Sequence, residues 1–185
     1  MIISFKNKLN ELPWGYFSIS ILLLLIGMVT LFSISYQQEP GMSNTFYKQG
    51  LFIIPALLLF FIVINTPRTI IHKYAYGAYL IGIIAVLLPY ALPIRAGTHR
   101  WISFGFPFAI QPSEFVKIIT IIAVARFLSD QSNKSMKYFA SLIIPFLIVL
   151  IPTAIVLKQP DLGTAVVMIT PIFPILYWSG ARLYH

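Results

Sequence analysis

From Phe17 to Phe32 the chain carries no charged residue, and comparable apolar stretches return along its whole length. With 58% hydrophobic and 10% charged residues, a water-facing surface is impossible, so the bilayer must act as solvent and the apolar runs must be its spans. The same counts exclude several chemistries. Cysteine is absent, and His72, His99 and His185 lie too far apart for metal-ligand spacing, which removes redox and zinc sites. The net charge of +8 is spread over the segments between apolar runs and points to membrane orientation, with no nucleic-acid partner.

Length and hydropathy place about six transmembrane helices, giving an all-α polytopic membrane protein read as one transmembrane domain over residues 1–185. The spans fall near 14–36, 46–65, 74–92, 112–128, 138–157 and 163–178. The first lacks a small-residue cleavage site and reads as a retained span, not a signal peptide. Basic residues alternate with the connectors. Lys6, Lys8, Arg68, Lys73, Arg126, Lys134, Lys137 and Arg182 fall on one side, against Lys48, Arg95, Arg100 and Lys158 on the other. That excess puts both termini in the cytoplasm and turns two connectors outward, residues 93–111 and 158–163. The inner connectors TPRTIIHK and SDQSNKSMK read as plain basic or polar linkers.

The outward segment Arg95 to Lys117 is unusual for a membrane linker. Gly97 and Gly105 permit tight turns, while Trp101, Phe104, Phe106 and Phe108 suit the headgroup level, so the loop is expected to lie on the outer leaflet. Gln111-Pro112-Ser113-Glu114 reads as a helix start, with proline in the first turn and an acid at the positive end of the dipole. Glu114 and Lys117 then share a face at i and i+3. They serve either as an ion pair that pins helices or as groups acting in binding or chemistry. Arg95 and Arg100 either snorkel to headgroups or clamp a phosphate, for which the guanidinium fork is suited.

A second constellation, Lys158 to Ala165, breaks the chain at Pro160 and Gly163 between the last two spans. Broken backbone at membrane depth is tolerated where it lines a cavity or is buried in protein. Asp161 is the single acid of that turn, placed to reach Lys117 or a cation, or to cap the following helix near Thr164. Pro171 and Pro174 are expected to kink the sixth span.

Taken together, Gly97-Thr98-His99-Arg100-Trp101-Ile102, Gln111-Pro112-Ser113-Glu114-Phe115-Val116-Lys117 and Gln159-Pro160-Asp161-Leu162-Gly163-Thr164-Ala165 resemble the SEDS family (shape, elongation, division and sporulation), most of all its RodA branch. The resemblance implies a glycosyltransferase of about ten spans in the bacterial inner membrane. Such an enzyme polymerises lipid II into peptidoglycan during cell-wall synthesis and shape maintenance, beside a class B penicillin-binding protein. It covers the first half of a family member. The acid most often assigned to catalysis in the family lies in a later external loop, so the isolated chain is expected to be inactive as a polymerase.

That chemistry needs outward basic groups for a pyrophosphate, an acid or metal to activate a hydroxyl, and an opening to lipid. By resemblance, Asp161, Glu114 and Lys117 are the candidates for catalysis. Arg95, Arg100, Trp101, Gln111, Ser113, Lys158 and Gln159 are the candidates for substrate contact. A divalent cation, magnesium or manganese, is the expected cofactor, with no organic one. Two other classes stay open: a flippase or transporter of lipid-linked precursors, which also uses broken helices and buried charge, and a non-catalytic membrane partner of a penicillin-binding protein.

Overall fold

The computed structural model describes residues 14–37, 44–93, 98–103, 109–131 and 140–181. Arg95, Gly97 and the phenylalanines of 104–108 lie outside them. Seven α-helices carry the described chain: α1 Trp14–Gln37, α2 Asn44–Asn65, α3 Arg68–Leu87, α4 Pro112–Ser129, α5 Ala140–Lys158, α6 Leu162–Ile169 and α7 Ile172–Trp178. The protein is thus an all-α, polytopic membrane protein. Its small exception is an antiparallel pair, β1 Ile102–Ser103 and β2 Ala109–Ile110, within a segment expected to be loop throughout. The residues group into two compact units, 1–67 and 68–185.

The first unit is the α1–α2 hairpin, held by ring contacts of Phe17 with Phe60 at 5.2 Å and of Phe32 with Phe46 at 5.6 Å. Leu22, Leu23, Val29, Leu58 and Ile62 stay exposed, which is the surface a lipid solvent requires. Hydroxyls inside the span have no water to bond. Ser20, Thr30 and Ser35 therefore donate back to the carbonyls of Tyr16, Ile26 and Leu31 in their own helix.

The second unit packs α3 to α7 around two apolar clusters. Val86, Val116, Val156, Ala165 and Met168 form one, and Val124, Leu142, Val149, Ile172 and Leu176 the other. Helices α3 and α4 approach closely because Gly82 has no side chain. A Cβ there would sit 3.2 Å from Cγ2 of Val116.

Prolines inside α5 remove N–H groups that would bond the carbonyl four residues earlier. Pro152 in this way frees the carbonyl of Ile148, and the Tyr79 hydroxyl of α3 donates to that oxygen at 2.9 Å. At the end of α5 the Tyr90 hydroxyl donates to the Ile155 carbonyl at 3.0 Å. Tyrosines on one element thus satisfy backbone that proline and helix termination leave open on another.

Among the described residues, four helical stretches are long and apolar enough to cross a membrane: Trp14–Ser35, Thr45–Asn65, Arg68–Ala91 and Ser141–Lys158. The other two expected spans fall on helices of different make. Helix α4 carries Glu114, Lys117 and Arg126. The 163–178 stretch is two short helices, broken between Ile169 and Ile172, where Pro171 cannot continue the ladder.

Candidate functional site

The β1–β2 register pairs Ile102 with Ile110, which brings the residues flanking the hairpin, Arg100 and Trp101 before it and Gln111 after it, to one place. Gln111 is also the N-cap position of α4. The turn between α5 and α6 completes the site. Arg100 Nε donates to the Gln159 carbonyl at 2.7 Å and its Nη2 to the Pro160 carbonyl, while Nη1 lies 3.9 Å from Asp161 Oδ1. These carbonyls belong to the two residues that directly follow α5, and a cation at this C-terminal end of the helix is favourable.

Asp161 joins all three segments. Its Oδ2 accepts from the Gln111 carboxamide at 2.9 Å, and its Oδ1 accepts from the Thr164 backbone N–H at 3.2 Å as the N-cap of α6. Its side chain is only 12% exposed. The expected contact of Asp161 with Lys117 is replaced by the one with Gln111, because Lys117 Nζ donates instead to both Glu114 oxygens, at 2.8 and 2.9 Å. Glu114 and Lys117 sit on the first turns of α4, Glu114 exposed and Lys117 less so.

The other candidates divide by exposure. Trp101 and Lys158 are exposed, Lys158 at the last residue of α5. Gln159 is 2% exposed and donates its carboxamide N–H to the Val86 carbonyl at 2.8 Å, which caps the end of α3 and makes it a structural residue. Ser113 is buried with no hydrogen-bond partner among the described residues, as is Thr120, two turns on along the same helix. Sequence reading passed over His99 and Tyr90, whose rings stack at 5.8 Å. The His99 ring nitrogen Nδ1 donates to the Pro89 carbonyl at 3.1 Å and so anchors the residue next to Arg100. An aromatic at the end of an apolar run was the one available signal.

No three His, Cys, Asp or Glu side chains converge among the described residues, and both Asp161 oxygens are already accepting hydrogen bonds. The arrangement instead offers a cationic group with donors to spare, since Arg100 uses only part of its five N–H bonds on the two carbonyls.

The family model FtsW/RodA/SpoVE, described as cell cycle protein, matches residues 14–185. The chain belongs to this family. It is 32% identical over 176 residues to stage V sporulation protein E of Bacillus subtilis, covering 90% of this chain and 47% of that one. It is 30% identical over 173 residues to a probable peptidoglycan glycosyltransferase FtsW of Tolumonas auensis, covering 91% and 44%. The chain spans about half the length of the curated relatives it matches. A crystal structure of an aspartate-to-alanine variant of the rod shape determining protein RodA of Thermus thermophilus superposes with a TM-score of 0.74. It has 24% identity and covers 91% of this chain and 54% of that one, a likeness of fold.

Proposed function

We propose that this chain supplies one wall of the lipid-linked sugar site of a peptidoglycan glycosyltransferase that polymerises lipid II. The observation that carries the reading is the Arg100–Asp161–Gln111 network. It fixes a guanidinium at one end of the second unit, beside an exposed tryptophan and the exposed Lys158. Lipid II presents a pyrophosphate at headgroup level, and preorganised cations there lower the cost of the charge that develops as the pyrophosphate leaves.

Within that reading the residues take different roles. Arg100 and Lys158 bind the pyrophosphate, and Trp101 lines the approach at the level of the headgroups. Asp161, with both oxygens engaged, acts as a positioning residue for Arg100 and for the start of α6, not as a base. The Glu114–Lys117 pair supplies a self-neutralised polar group at the start of α4. The basic excess of the inner connectors supports a cytoplasmic N-terminus in the bacterial inner membrane. A class B penicillin-binding protein as cross-linking partner belongs to the same proposal.

The test is binding and turnover of labelled lipid II by the chain in nanodiscs. Arg100→Ala is expected to weaken binding about tenfold, in line with the loss of one charge-assisted hydrogen-bonding group. Unchanged binding would sink the reading. Movement of labelled lipid across proteoliposomes, with binding but no polymer from any longer form carrying this chain, would replace polymerisation by transport.

A further inference from the structure

We propose that the cleft between the start of α3 and the end of α4 is a binding site for an anionic phospholipid. The cleft has a volume of about 260 Å³. It lies at the opposite end of α4 from Gln111, about 26 Å away at 1.5 Å per residue, and so at the headgroup level of the other leaflet. Arg68, His72, Arg126 and Ser129 supply its polar lining. Ile71, Ile122 and Ala125 supply its apolar floor.

The basic groups are held in position by the fold. Arg126 Nε donates to Asp130 Oδ2 at 2.9 Å, its Nη1 to the His72 carbonyl, and its guanidinium carbon lies 5.3 Å from the centre of the Tyr76 ring. His72 Nε2 is 3.1 Å from Ser129 Oγ and 3.4 Å from Asp130 Oδ1. Arg68 is exposed and has no hydrogen bond or ion pair among the described residues. Arg68 and Arg126 thus both line the cleft, while the one carboxylate beside it, Asp130, is engaged by Arg126 and His72, and the surplus is positive.

Charge and shape together choose the occupant. A phosphodiester matches the guanidinium fork, and one carrying acyl chains also covers the isoleucine floor, whose Ile71 follows the exposed Ile70 and whose Ile122 lies one turn from the exposed Ile118. A free phosphate would leave that floor uncovered. Basic pockets between helices on the cytoplasmic side are suited to anionic headgroups, and the leaflet assignment rests on the orientation proposed above. The site itself is independent of the polymerase reading.

The experiment is native mass spectrometry of the full chain released from nanodiscs of phosphatidylglycerol or phosphatidylcholine, counting retained lipid. The expected result is retained phosphatidylglycerol and little phosphatidylcholine. Arg68→Ala should lower retention about fivefold, Arg68→Lys should restore most of it, and Ile122→Trp, which fills the floor, should abolish it with helicity unchanged by circular dichroism. Equal retention of both lipids, or full retention in Arg68→Glu, would overturn the proposal. So would displacement of phosphatidylglycerol by millimolar inorganic phosphate, because the site would then read the phosphate alone.

Discussion

The second unit holds an Arg–Asp pair at each end of α4, and the two are built differently. Arg100 and Asp161 come from segments 61 positions apart in numbering, bond mainly to backbone and Gln111, and leave the aspartate 12% exposed. Arg126 and Asp130 are i and i+4 on one helix, and the aspartate is 47% exposed. The first pair joins a hairpin, a helix start and a helix break. The second pair sits at the end of one helix, its arginine reaching also the His72 carbonyl of α3. A charge in a partly desolvated, fully bonded network matters when removed because its partners are left behind. An exposed carboxylate such as Asp130 is largely replaced by water when removed.

The largest expected effect therefore falls on Asp161. Asp161→Ala removes the cap of α6, the acceptor of Gln111 and the counter-charge of Arg100 at once, and is expected to cost about 2–4 kcal/mol. Thermal unfolding of the detergent-solubilised chain measures it. Asp161→Asn keeps a cap and an acceptor and should recover about half of the loss. An alanine variant as stable as the parent would show that the two ends do not differ in the way their geometry indicates.

Much of this end of the molecule was legible in the sequence, and the reasons for the remainder are physical. Pro112 in a first turn and Pro160 just past the end of α5 announce a helix start and stop by backbone chemistry alone, which acts locally, whereas Gly163 lies inside α6 and breaks nothing. The cap of α6 by Asp161 followed from the same kind of rule. Which polar partner meets Asp161 did not, because Gln111 and Lys117 both begin α4 and only the direction in which the hairpin delivers the chain separates them. The hairpin is too short, two residues a strand, to leave a periodic signal. The basic cleft at the other end was hidden because Arg68 and His72 belong to a connector that is bland when read alone, while Arg126 lies near the end of a separate span.

An intermediate effect tests whether the middle of the unit depends on either end. Tyr79→Phe leaves the Ile148 carbonyl without its donor inside the membrane and is expected to cost about 1–2 kcal/mol. The cause predicts its own rescue. In a Pro152→Ala background the helix regains its N–H, and Tyr79→Phe should then cost about half or less. A double-mutant cycle on thermal unfolding gives the coupling. Purely additive costs would mean that the tyrosine serves packing and not the carbonyl that proline frees.

The smallest effect belongs to Asp130, and pH isolates it. The hydrogen bond from Arg126, helped by the charges of Arg126 and His72, holds the Asp130 carboxyl below its ordinary range. A group whose pKa is depressed by folding contributes stability above its unfolded pKa and loses it as pH falls through the folded one. Stability measured from neutral pH downward should thus drop less in Asp130→Asn than in the parent, and only in the acid limb. The two curves should run parallel near neutrality, where the parent carboxylate is ionised in both states. Because Asp130 is exposed, high salt should shrink the difference further, whereas the Asp161 effect should change little on adding salt. A salt-insensitive Asp130 effect would place the two ends of α4 in one class after all.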